Sequence, residues 1–186
     1  MRRRRDRGGT CAAIEQGSCR IGSCLGALQI VRRHDAIVRD CAADHAGTVL
    51  ELRGDGFLVS FVRHDDAVAC AIAIQRALAS DRAEHADGGV HVRIGVHTGE
   101  VFMERGRLFG LEVVVPFRLL DCADGEEILV SGRPHDAAPG VLYGPVRELA
   151  LKGMTGPVLA APVDWRSAKG IRLTQRVGPH SSAVVG

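Results

Sequence analysis

Gly54-Asp55-Gly56 sets one carboxylate between two β-prone runs, Thr48 to Arg53 and Phe57 to Phe61. Asp-Gly between such runs predicts a hairpin with Asp55 at its tip. An aspartate there is a turn former by type, and its oxygens are also the ligands that a hard divalent cation takes. Two more segments carry groups of chemical interest: His34-Asp35 inside a helical pattern, and Arg93 to Glu100, which ends in His97-Thr98-Gly99-Glu100. Cys11, Cys19 and Cys24 could offer thiolates to zinc, but no His or Cys completes a usual ligand spacing. Free thiols are the expectation for these and for Cys41, Cys70 and Cys122, several of which fall in apolar helical patterns.

Several chemistries are excluded by absence. The chain has no G-x-x-x-x-G-K-[ST] phosphate loop, no H-E-x-x-H and no G-x-S-x-G nucleophile elbow. Its 186 residues carry a formal charge of +2, one Trp and one Tyr, with no basic stripe interleaved with aromatics, so neither nucleic-acid binding nor a strongly charged partner is indicated. The run Arg2 to Arg5 reads as a solvated tail. The longest apolar run is the eight residues Ala67 to Ile74, against the roughly 18 needed to span a bilayer. Arg2 to Arg5 also resemble the start of a signal peptide, but Glu15 and scattered glycines replace its apolar stretch, so a cytoplasmic, reducing location is expected.

The elements that must position these groups are legible in part. Residues 1–24 lack periodicity and read as an irregular segment; 25–165 read as one folded domain; 166–186 read as a flexible tail. Apolar positions Leu28, Val31, Val38 and Cys41 predict a helix that ends at Gly47 as its cap. The hairpin follows, and then a largely buried helix over Asp65 to Ser80. Val90, Val92, Ile94 and Val96 alternate with His91, Arg93, Gly95 and His97 as a strand with one buried face, turned by Thr98-Gly99 into a second hairpin through Met103. A helix over Leu111 to Cys122 is weakened by Val113-Val114-Val115 and Pro116. Glu127 to Ser131 reads as a strand, and Val146 to Leu151 with Val158 to Pro162 as a terminal pair. The order predicts an α+β sandwich with helices on one face of a mostly antiparallel sheet and one strand missing at the front.

His34 to Val38, Gly54 to Phe57 and Arg93 to Glu100, in this order and spacing, resemble class III nucleotidyl cyclase catalytic domains. The resemblance continues through Phe109-Gly110, Arg118, Gly125 to Ser131 and Glu148 to Gly153, covering roughly residues 28–163. It implies a ferredoxin-like sandwich of the cyclase type, its first strand missing or divergent. It further implies a head-to-tail dimer, a homodimer or a heterodimer with another cyclase domain. In such a dimer ATP or GTP lies at the interface, and two aspartates hold two Mg or Mn ions that activate the ribose hydroxyl and neutralise the triphosphate. By the same resemblance Asp55 is the second metal aspartate, Arg118 the arginine that stabilises the transition-state phosphates, and Lys152 a lysine near the terminal phosphates. His34 and His97 also stand at family positions and are assigned no chemistry.

The chain departs from the pattern at four places. The nearest match to the first metal strand, Cys11 to Ser18, puts Ala13 where the aspartate belongs, and Glu15 is expected to face away from that position. Val114 replaces the ribose-orienting asparagine. Glu51 stands where adenylyl types carry a lysine and matches the guanine-reading glutamate of guanylyl types, but its partner position holds Arg107, which could pair with Glu51 instead. A cyclase-like protein with reduced or no activity follows, or a non-catalytic module that dimerises or partners an intact cyclase. The odd composition before the first helix predicts a wrong start or an upstream frameshift, with divergence as the other account.

Overall fold

The computed structural model describes residues 9–16, 24–53, 56–85, 89–99, 102–104, 107–132 and 140–168. At the centre of its sheet lies β1 (Gly9–Gln16), paired antiparallel with β3 (Gly56–Phe61) on one edge and β4 (Val92–Gly99) on the other. Ala12 and Ile14 face one side of the sheet with Phe57, Val59, Val92, Ile94 and Val96. Cys11 faces the other side with Leu58. A strand covered on both faces needs no polar alternation, so Cys11 to Ile14 reads as a short apolar run without a strand period. The irregular reading of 1–24 therefore fails at residues 9–16. The first strand is in place, divergent in sequence, and the residues expected to be a wrong start include it.

β2 (Thr48–Arg53) joins β3 in the expected hairpin, with a register shift between Val49 and Glu51. β7 (Ile128–Ser131), β8 (Arg147–Leu149) and β9 (Val158–Pro162) extend the sheet to seven strands in the order β2-β3-β1-β4-β7-β9-β8. Among the described strands only β4 and β7 run parallel as neighbours. The crossovers are α1 (Cys24–Asp44), from β1 to β2, and α2 (His64–Glu84), from β3 to β4. Each leaves a strand of the other unit between its own two strands, the interleaving of a ferredoxin-like α+β fold.

The helix expected over Leu111 to Cys122 splits into a 3₁₀ turn, Leu111–Val113, and α3 (Val115–Leu120), whose first turn takes Pro116 because no helical N–H is required there. Val115 and Leu119 pack with Leu129, Leu151 and Ala160, on the face away from the α1/α2 core. Helices thus cover both faces of the sheet, not one. The second hairpin also differs from expectation: β5 (Phe102–Glu104) pairs with β6 (Arg107–Phe109) in a separate ribbon and not with β4. No described helix is long and apolar enough to cross a membrane.

The end of α1 departs from the cap expected at Gly47. The left-handed residue is Ala46, at φ 55°, while the Gly47 N–H reaches back to the Ala42 carbonyl at 2.7 Å and the Ala46 N–H to that of Ala43 at 3.2 Å. This is the paired closing pattern in which glycine usually takes the left-handed site. Gly47 is needed for space, since a Cβ there would meet the Phe61 ring at 2.5 Å. An alanine held left-handed costs about 1 kcal/mol. Ala46→Gly is expected to raise the thermal midpoint by about 2–4 °C, less what the freer unfolded chain takes back. A lower midpoint in differential scanning calorimetry contradicts this.

The start of α2 is tied to the sheet by a polar chain. His64 Nδ1 lies 2.6 Å from Thr98 Oγ1, which lies 3.0 Å from Thr10 Oγ1. Burial lowers the His64 pKa from 6.5, Asp65 opposes this, and His97 adds to it. The unfolded chain therefore takes up this proton first, so stability is kept above about pH 6.5 and falls as the pH drops through that value toward the folded pKa. Urea midpoints at pH 7.5 and 5.5 should differ less in His64→Asn than in the wild type; equal differences would remove His64 from the acid limb.

Candidate functional site

Strand β4 turns Gly95, His97 and Gly99 toward the face that carries α3, because alternate strand residues share a face. A Cβ at Gly95 would overlap the Pro116 carbonyl oxygen, and one at Gly99 would meet the Glu112 side chain at 2.6 Å. The segment from Leu111 to Leu120 therefore lies flat on the strand. Val114 opens α3, and the Arg118 N–H bonds its carbonyl at 3.1 Å, so the two side chains sit one turn apart. Val114 is 40% exposed. Arg118 is half-buried, with one guanidinium nitrogen 3.5 Å from Asp121 and no acceptor for Nε among the described residues. The Asp121 contact is largely solvated and holds the arginine only weakly.

Leu151 packs into the same cluster as Val115 and Leu119, which brings the turn at Lys152-Gly153 beside α3. Gly153, at φ 85°, sets that turn, and Lys152 is exposed. The fold thus gathers the elements bearing Arg118 and Lys152 on one side of the sheet.

The expected cation position has a different character. Ala13 is 0% exposed and lies between Leu58 on β3 and Gly95 on β4. Its methyl offers no ligand atom. Glu15, two residues on, shares Ala13's face, contrary to the expectation that it points away. Its carboxylate accepts from Arg93 at 2.6 Å, and Arg93 also donates to the Leu120 carbonyl at 3.1 Å. Asp55 lies outside the described residues, whose hairpin ends at Arg53 and Gly56. Among the described residues no group of three or more His, Cys, Asp or Glu could hold a metal. Divalent cations need anionic oxygens, and the residues described here do not fit a two-cation centre.

Glu51 stands on β2 opposite Leu58, and Arg107 on β6 opposite Glu104, in two different sheets. Only their backbones are described, so their expected pairing lies outside the described residues. The structure also brings together side chains that the sequence pattern did not single out as a group. His97 Nδ1 lies 2.6 Å from Ser131 Oγ, and its Nε2 bonds the Glu112 carboxylate. The signal in sequence was the Gly95-x-His97-x-Gly99 spacing, in which small residues flank a ring. His34 is buried against Phe57, with ring centroids 5.7 Å apart and its Nδ1 3.2 Å from Asp35, a structural placement. Burial pushes the Cys11 and Cys41 thiols up to about 11, and Cys70 higher still, which leaves little reactive thiolate.

No profile of a known protein family matches the chain. An uncharacterized protein of Mycobacterium tuberculosis (strain ATCC 25618 / H37Rv) is 33% identical over 133 residues, 70% of this chain and 48% of that protein. A proposed adenylate cyclase of Rhizobium meliloti (strain 1021) is 32% identical over 112 residues, 60% of this chain and 19% of its own length. The chain thus spans half or less of these curated relatives. Among solved structures, the guanylyl cyclase Cya2 superposes with a TM-score of 0.74 at 26% identity, over 88% of this chain and 94% of that one. The adenylyl cyclase CyaB from P. aeruginosa gives 0.70 at 19%, over 84% and 93%. The mixed seven-stranded sheet, the two interleaved crossovers and these likenesses agree: the chain has the fold of the class III adenylate/guanylate cyclase catalytic domain and is a cyclase-like protein.

Proposed function

We propose that this chain is a nucleotidyl cyclase-like protein, of the kind that makes cyclic nucleotide from ATP or GTP at a dimer interface, with reduced or no activity of its own. The observation that carries the reading is Ala13, fully buried on the central strand where the resemblance places a metal carboxylate. Glu15 does not make up the loss, since its carboxylate is paired with Arg93. Val114 removes the hydrogen bond that would orient the ribose, one turn before Arg118.

Arg118 and Lys152 keep the positions of the phosphate-binding cations. In this reading they hold the triphosphate, with Asp55 as the remaining metal carboxylate, and base recognition is assigned to Glu51 and Arg107. Arg118 supplies charge where the phosphates gain it, and that positioning survives without chemistry. Loss of one metal ligand costs catalysis more than it costs phosphate contact, because the cation polarises the reacting oxygens.

A second reading, a non-catalytic module acting by dimerisation or as the partner of an intact cyclase, is favoured by Leu28 and Val31, exposed three residues apart on α1. Exposed apolar side chains are suited to a partner's surface where they form one patch.

The deciding assay measures cyclic nucleotide formation by the full chain with manganese and ATP or GTP, beside Asp55→Ala and the double variant Ala13→Asp/Val114→Asn. The wild type is expected at least about 100-fold below an intact cyclase domain, since even indirect support of a metal ligand is worth 10–100-fold. The double variant is expected to gain product. Full wild-type turnover that vanishes in Asp55→Ala would show that one aspartate suffices and overturn the impaired reading. No product in any variant, with the double variant folded by circular dichroism, leaves the partner-module reading.

A further inference from the structure

α3 has six residues, too few to hold a helix by its own hydrogen bonds, and no side chain caps its start. Its place on the sheet must therefore come from outside the helix. Val115 and Leu119 supply apolar contact, which is non-directional and fixes no register. The directional contact is made just before the helix. Glu112, on the 3₁₀ turn, takes the Nε2 of His97, whose Nδ1 lies 2.6 Å from Ser131 Oγ on β7. Ser131 Oγ lies 3.3 Å from the Val96 carbonyl and is buried. Three elements, β4, β7 and the turn, are thus joined through one ring. The clearances at Gly95 and Gly99 admit the Pro116 carbonyl and the Glu112 side chain on either side of that ring.

We propose that Glu112 is a positioning residue: through His97 and Ser131 it fixes the lie of α3 on β4 and hence the place of Arg118, six residues further on. This rests on the reading of Arg118 as a phosphate-binding group. A small displacement of such a group is costly, because a shift of about 1 Å in a positioned contact can reduce its effect about 100-fold.

The test uses the full chain and inorganic triphosphate as probe, with affinity from calorimetry and amide hydrogen exchange over residues 111–121. Glu112→Ala is expected to weaken triphosphate about tenfold, while Glu112→Gln, which keeps an acceptor for His97, stays within about threefold of the wild type. Exchange in 111–121 should rise in the alanine variant and be restored in the glutamine variant, with β1 and β3 unchanged in both. A general loss of stability would raise exchange across the sheet and would not be rescued by glutamine. If Arg118→Ala abolishes binding and Glu112→Ala does not weaken it, the positioning role is overturned while the phosphate reading stands. If the wild type does not bind triphosphate, the phosphate reading fails and exchange alone decides: a rise confined to 111–121 supports the clamp, and none overturns it.

Discussion

Strand β1 is paired along both edges and covered on both faces, and the two crossovers close only through it. α1 carries the chain from β1 to β2 across β3, and α2 carries it from β3 to β4 across β1. A residue at the middle of such a strand is cut off from water on every side. An aspartate there would have to be neutralised by a cation or pay a large desolvation cost. Ala13 is free of that requirement. With alanine at this position the sheet is apolar at its centre.

The second dependency is clearance. α3 reaches the sheet only because β4 offers no side chain at Gly95 and Gly99, and the ring at His97 fills the interval while bonding to both neighbours. The contact that seats α3 also places Arg118 and, through Leu151, draws the Lys152 turn alongside. In the proposed reading a retained phosphate side and an altered metal and ribose side coexist in one fold. They rest on different elements: Arg118 and Lys152 on the far-face cluster, Ala13 on the central strand.

At the other end of the sheet, charge is gathered to hold the chain's course rather than to react. Glu126, at φ 63°, receives Arg82, Arg166 at 2.5 Å and His91 at 3.0 Å. Burial alone would raise its pKa, but Arg82 with His91 and Arg166 outweighs it and leaves it lowered. Trp165 donates to the Glu126 carbonyl at 2.9 Å, and Arg76 to the Trp165 carbonyl at 3.0 Å, so α2 and the segment after β9 are tied to one loop.

Local patterns in the sequence determined much of this protein. The β2/β3 hairpin, the alternating β4, the buried α2 and the terminal pair β8/β9 each follow from neighbours in the chain, because turn chemistry and side-chain period are short-range properties. The family resemblance and the identities of Ala13, Val114 and Arg118 were legible for the same reason. Tertiary structure alone decided the rest. β1 was hidden because a strand buried on both faces loses its alternation; the helix expected over Leu111 to Cys122 was cut by its fit to β4; Glu15, on Ala13's face by strand alternation once β1 forms, was paired with Arg93, 78 residues away. Contacts between residues far apart in sequence leave no period to read, and they are what set the site.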